Sequence, residues 1–241
     1  MDNSRIVALA RTHLAASPGS SENGRAAQAL RGQAAMLGDI EGFVGYALHE
    51  EMRVFREADS SIASSFLELA FFRNVVPEAA IRWASTKPDA GVELLRVDLM
   101  DRTPGSFHGP LLGSEDHLAR PGFMVSLEYI DVRPTELDRY RDVMRGYCGP
   151  GAAQLVTDGT LGSFRALETV ATLWRSERPQ VSWNQIHLFE VSVDPIDDFF
   201  RAFDQAIRNA SGSDFATVFD GLDEIRQVPR WVFCSSVPKN P

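Results

Sequence analysis

Apolar and polar positions change period several times along the chain, and each change marks an element. Residues 123–132, FMVSLEYIDV, are rich in aliphatic and aromatic types and predict a strand. Pro134, Thr135 and Glu136 then form a helix opening. Leu137, Tyr140, Met144 and Tyr147 recur at helical spacing. Gly149-Pro150-Gly151 predicts a bend or an end to that helix, and Gly159 and Gly162 a turn. Strands follow over 164–174 and 185–193. Asp194 fits an N-cap with Pro195 at the first helical position. Ile196, Phe199, Phe200, Phe203 and Ile207 then give one apolar helix face. Phe215, Val218, Phe219 and Leu222 predict a short helix, and 231–237 the last strand. The order is β-α-β-β-α-(α)-β.

The first half reads the same way. Residues 6–14 predict a strand, Pro18-Gly19-Ser20-Ser21 a turn and cap, and Ala26, Ala29, Leu30 and Leu37 a helix. Strands follow over 43–55 and 66–73. Val76-Pro77-Glu78 opens a helix carrying Ala80, Trp83 and Ala84, and 92–100 closes the unit. A Pro opens the helix after the third strand in both halves, Pro77 and Pro195. The chain is thus expected to be a tandem repeat: a first unit over 1–102, a connector over 103–121 rich in Gly, Pro and Ser, and a second unit over 122–241. The connector is expected to cover the mouth of a site, with His108 and His117 exposed.

A β-α-β-β-α-β unit makes an antiparallel sheet with both helices on one face. The bare face must be covered, and two units cover each other. The expected fold is α+β: two ferredoxin-like units whose antiparallel sheets pack face to face as an α/β barrel.

Composition narrows the class. The chain has 241 residues, 44% apolar and 24% charged, with a formal charge of −9. These values suit a globular chain and speak against a nucleic-acid partner, which would call for clustered Lys and Arg. Two cysteines, Cys148 and Cys234, suggest reduced thiols in a cytoplasm. No apolar run approaches the roughly 20 residues that cross a bilayer, and the N-terminus is a poor signal peptide, so no membrane partner is expected.

The stretches SLEYIDVRPTELDRYRDVM (126–144) and GSFRALE (162–168) resemble the first strand and helix, and the following strand, of NIPSNAP-like and EthD-like proteins. These are members of the dimeric α/β-barrel superfamily. The resemblance covers about 122–237 well and 1–102 faintly. It implies the fold above. The superfamily includes cofactor-free monooxygenases, isomerases, decarboxylases and haem enzymes, so it implies a site location more than a reaction.

The chain has no phosphate loop, no dinucleotide fingerprint, no paired CxxC, no HExxH and no GxSxG. Polar residues on strands are the better signal. Met124, Ser126, Glu128 and Ile130 share a face, as do Phe164, Ala166, Glu168, Val170 and Trp174. His187 shares one with Phe189 and Val191. If Glu128, Glu168 and His187 point into the barrel, they are candidate catalytic groups in an apolar cavity, the carboxylates as bases and the histidine as a shuttle. Phe164, Trp174, Phe189 and Trp231 are the candidate ligand-binding residues. The alternative is structural: Glu side chains at strand ends and a hydrogen-bonded core histidine. In the first unit His13, His49 and Glu68 are comparable, with Arg11 and Arg96 nearby. Adjacent strand positions face opposite ways, so the three cannot bind one ion, and no metal is expected.

The expected function is binding or conversion of a small apolar organic molecule without a tightly bound cofactor, as in a cofactor-free monooxygenase or isomerase, with a homo-oligomer as a further expectation. The alternatives are a non-catalytic structural or oligomerisation module, and a haem-dependent chlorite-dismutase-like protein. No histidine falls in the helices of the second unit to serve as a haem ligand.

Overall fold

A computed structural model describes residues 5–57, 64–88, 91–110, 123–178, 182–192 and 196–236. The first half contains β1 (Ile6–Leu14), α1 (Ser21–Ala34), β2 (Phe43–Glu57), β3 (Phe66–Arg73), α2 (Glu78–Ser85) and β4 (Glu93–Arg102). The second contains β5 (Phe123–Val132), α3 (Leu137–Val143), α4 (Gly149–Thr157), β6 (Leu161–Arg175), β7 (Gln185–Ser192), α5 (Ile196–Ser211), α6 (Phe215–Asp223) and β8 (Arg226–Ser236). Asp194 and Pro195, read as a helix cap, lie outside the described residues, as does His117.

The strands pair only antiparallel, and their order closes on itself: β1-β3-β2-β8-β5-β7-β6-β4. The first half contributes β4-β1-β3-β2 and the second β8-β5-β7-β6, in which each strand pairs only with its listed neighbours. The two sheets expected to pack face to face as a barrel are joined by hydrogen-bonded seams. β2 hydrogen-bonds β8 and β4 hydrogen-bonds β6, so the two half-sheets are joined at both edges. Their inner faces oppose across the interior, and no strand edge is left bare among the described residues.

Most strand positions are buried, apart from the later parts of β2 and β6, and the buried residues form three cores. Val125, Leu127 and Tyr129 of β5 point inward with Leu67, Leu69, Leu188 and Val232. The outer face of the first half packs under α1 and α2 through Leu9, Leu30, Phe66 and Trp83. The outer face of the second packs under α3 to α6 through Ile130, Tyr140, Phe164, Phe189 and Phe203.

Two local features depart from the sequence reading. Gly149-Pro150-Gly151 does not end the helix. The chain widens into a π turn over Met144–Cys148, in which the Gly149 N–H reaches back to the Met144 carbonyl, and continues as α4. The wider turn accommodates Pro150, which has no N–H to donate. Gly149 is needed at this point, because a Cβ there would lie 2.0 Å from the Gly105 carbonyl oxygen. The connector's described part, 103–110, packs into the fold rather than over a cavity. Thr103 and Ser106 are buried, and His108 is half-buried instead of exposed, bridging to Phe164. Phe107 packs against the inner core beside Phe71. Residues 111–121 of the connector lie outside the described residues.

Three sets of buried charges are paired. Glu51 accepts from Tyr129 at 2.9 Å and from the Arg230 guanidinium at 2.7 and 3.1 Å. Arg96 meets Asp98 at 2.7 Å. Under α2, Glu68 accepts from Tyr46 at 2.6 Å, meets His13 at 2.5 Å and lies 3.0 Å from Arg11, with all four side chains buried. Glu68→Ala would leave Arg11 buried without its counter-charge. The expected loss is about 3–5 kcal/mol in urea unfolding. Glu78→Ala, which breaks an exposed helix pair with Arg82, should leave stability nearly unchanged. Equal effects of the two changes would contradict this account.

Candidate functional site

Strand register assembles the site. Glu128 of β5 lies opposite His187 of β7 on one side and Trp231 of β8 on the other. His187 in turn pairs with Ala166 of β6. One row across the sheet therefore reads Ala166, His187, Glu128, Trp231. The next row reads Phe164, Phe189, Ser126, Phe233. With a period of two, both rows face the same way.

They face the helices, not the barrel interior. This corrects the expected direction of Glu128, Glu168 and His187. Between the sheet and the π turn, α5 and α6 lies a cavity of about 230 Å³. Phe164, Phe189, Phe199, Phe203, Phe215, Phe219, Val228 and Trp231 form its apolar wall. Ser126, Glu128, Cys148, His187 and Arg226 supply the polar groups inside, with Arg56 and Asp223 exposed at its rim.

Of the seven residues singled out in the sequence, Glu128, His187, Phe164, Phe189 and Trp231 line this cavity. Glu168 and Trp174 do not. Glu168 faces the helices too, but Arg141 of α3 grips its carboxylate through Nε at 2.9 Å and through Nη2. Trp174, near the end of β6, packs against the first-half core.

Tyr140, Cys148 and Arg226 were missed as site residues. Tyr140 and Cys148 looked like ordinary helix packing and a small buried thiol. Arg226 precedes the predicted start of the last strand. In the structure β8 begins at Arg226, and its register against β5 shifts between Tyr129 and Asp131. Pro229, which cannot donate to the ladder, sits within that irregularity. The shift changes strand parity, so Arg226 and Val228 share the cavity with Trp231.

The polar groups are ordered by hydrogen bonds. Trp231 Nε1 donates to Ser126 Oγ at 2.6 Å, fixing the indole. Tyr140 Oη lies 2.6 Å from His187 Nε2. A tyrosine hydroxyl donating to Nε2 makes this nitrogen the acceptor. That places the ring proton on Nδ1, 3.8 Å from Glu128, beyond direct hydrogen-bond reach. Burial, aided by the Arg226 charge, holds His187 well below the usual histidine range, so it is neutral. Burial raises Glu128 above the usual carboxylate range, with Arg226 and Arg56 opposing. Burial likewise pushes the Cys148 thiol up to about 12, against the pull of Arg226. The result is a neutral imidazole, a protonated thiol and a carboxyl group whose proton is held more tightly than usual.

No known family profile matches the chain, and no curated protein matches it. Solved structures do. A candidate monooxygenase from Fusobacterium nucleatum subsp. nucleatum superposes with a TM-score of 0.52 at 9% identity, covering 98% of this chain and 94% of that one. A point mutant of chlorite dismutase from Candidatus Nitrospira defluvii superposes with a TM-score of 0.51 at 8% identity, covering 98% and 92%. This chain shares their fold. At these identities the likeness concerns the fold alone.

A haem iron needs a protein ligand with a free lone pair. His187 is the histidine among the described lining residues. Its Nε2 is taken by Tyr140, and its Nδ1 carries the proton toward Glu128. The residues present do not fit an axial histidine, and no step is drawn through a haem. Among the described residues no three His, Cys, Asp or Glu side chains are grouped to hold a metal ion. No described helix is long and apolar enough to cross a membrane.

The raised pKa of Glu128 has a consequence for stability. An unfolded Glu titrates near about 4.3. The folded chain binds this proton more tightly, so the group's contribution is fully present below the unfolded value and is lost as pH rises through the raised folded value. Glu128→Gln removes that loss. Its melting temperature should gain on the parent as pH rises above the unfolded value, by roughly 2–4 °C for each kcal/mol relieved. A difference that stays constant as pH rises would contradict the assignment.

Proposed function

We propose that this protein binds a small, largely apolar organic molecule between the second-half sheet and α5 and α6, and that Glu128 exchanges a proton with it. The observation that carries this reading is the aromatic-walled cavity of about 230 Å³ with a buried carboxyl group on its floor. An aromatic or alicyclic ring fits such a wall. A carboxyl group whose pKa lies nearer neutrality is a better acid–base catalyst than an ordinary one. The supported chemistry is removal or return of a proton at a carbon acid or phenol, the step that cofactor-free oxygenases and isomerases require. His187 then acts through its Nδ1–H, orienting the ligand or the Glu128 carboxyl, while Tyr140 holds the imidazole tautomer. Phe164, Phe189 and Trp231 bind the ring.

We read the chain as two tandem ferredoxin-like units. The first carries a structural cluster where the second carries the cavity. The stretches 126–144 and 162–168 support a place near the NIPSNAP-like and EthD-like branches.

The neutral fluorophore N-phenyl-1-naphthylamine tests the binding reading. Its emission should rise on saturable binding to the parent protein. Val228→Trp, which fills the cavity, should weaken that binding tenfold or more, while the melting temperature moves by only a few degrees. An indole placed in open cavity space displaces no packed atoms. Failure of the parent to bind the probe, or unchanged binding by Val228→Trp, would contradict the proposal.

A further inference from the structure

Buried arginines reveal what this cavity is built to receive. Arg11 lies against Glu68 at 3.0 Å, Arg96 against Asp98 at 2.7 Å and Arg230 against Glu51 at 2.7 Å. Arg165 donates to the carbonyls of Phe164, at 2.7 Å, and Gly109, at 3.1 Å. A guanidinium stays charged at any working pH, and leaving it buried without a counter-charge is costly.

Arg226 departs from that pattern. It is 7% exposed, lines the cavity, and forms no salt bridge among the described residues. Its Nε has no hydrogen-bond partner among them, a feature it shares with Arg11, Arg96 and Arg165. Its guanidinium carbon lies 5.3 Å from the centre of the Phe219 ring, a neutral partner. Glu128 also lines the cavity and feels the Arg226 charge, but it forms no salt bridge with Arg226. Asp223 stands at the rim, exposed to water, where its charge is screened. Arg56, also at the rim, adds a second positive charge. Inside the cavity the Arg226 guanidinium therefore has no carboxylate within salt-bridge reach among the described residues.

We infer that the molecule taken by this cavity carries a carboxylate, received by Arg226, on an otherwise apolar ring-sized body seated among Phe164, Phe189 and Phe203. The guanidinium fork offers a carboxylate paired donors. Burial raises the Glu128 pKa, which lessens its repulsion of an incoming carboxylate, and the Phe walls exclude water and strengthen the pair. The inference rests on the binding reading above and specifies its substrate class: aromatic or alicyclic carboxylic acids. It also orients the ligand, with the acid group toward β8 and the ring toward β6, β7 and α5.

Two probes of nearly equal shape test it: 2-naphthoate, and the neutral alcohol 2-naphthalenemethanol. Calorimetric titration of the parent should show 2-naphthoate binding at least tenfold tighter. Arg226→Met should abolish that preference while leaving affinity for the alcohol within about twofold, and Arg226→Lys should restore part of it. The alcohol's retained binding guards against a folding defect in the variant. Equal affinity of the parent for both probes would overturn the carboxylate inference and leave the cavity reading standing. A preference that survives in Arg226→Met would also overturn it, assigning the anion to the rim. Failure of the parent to bind either probe would overturn both readings together.

Discussion

Every strand of this protein has a hydrogen-bonded neighbour on each side, and the rest of the architecture follows from that closure. An eight-stranded ring has an interior just wide enough to be filled by its own side chains. Here the filling is aliphatic along much of its length, with Glu51–Arg230 and Arg96–Asp98 held in it and Phe107 packed against it. Room for a ligand can then open only outside the ring, where helices cover the sheet. In the second half the π turn, α5 and α6 do not close fully on the strands. The wide turn at Met144–Cys148 sets Met144 and Cys148 beside the gap, and Gly149 lets the Gly105 carbonyl hold the turn in place.

The two halves resolve the same problem differently. Arg11 pairs in register with Glu68, on the strands that correspond to those carrying Glu128 and His187. In the first half the acid meets three partners, Arg11, His13 and Tyr46, and Trp83 lies beneath the Arg11 guanidinium at 4.6 Å. The Arg11 charge is met there, although its Nε keeps no hydrogen-bond partner among the described residues. In the second half the acid and the histidine stand 3.8 Å apart, and the nearby guanidinium lacks a counter-charge. A buried polar set that is incomplete in itself, beside open apolar space, is what distinguishes a binding site from a structural network.

The pattern of residues revealed the elements better than their orientation. The boundaries of β5 and the strands at 6–14 and 66–73 match, because β-branched and aromatic runs bounded by Gly, Pro and polar clusters leave little choice. Period-two reasoning also placed Ser126, Glu128 and Ile130 together, correctly. It could not say whether that face met the interior or the helices, since strands covered on both sides are apolar on both. Glu128 and Glu168 looked equivalent for the same reason. The difference lies in Arg141, which reaches one and not the other. Arg226 was hidden by a register shift at Pro229 that no local pattern announces, and Trp174 by the length of β6, which carries it onto the other half.

The account's central claim is that the accessible apolar space lies between the second-half sheet and its helices, not within the ring of strands. Crystals pressurised with xenon test it most directly, because xenon occupies dry apolar cavities without needing a specific chemistry. The account predicts an anomalous peak bounded by Phe164, Phe189, Phe203 and Trp231. A peak inside the ring among Leu67, Leu127 and Leu188, or no peak beside Phe203, would contradict it.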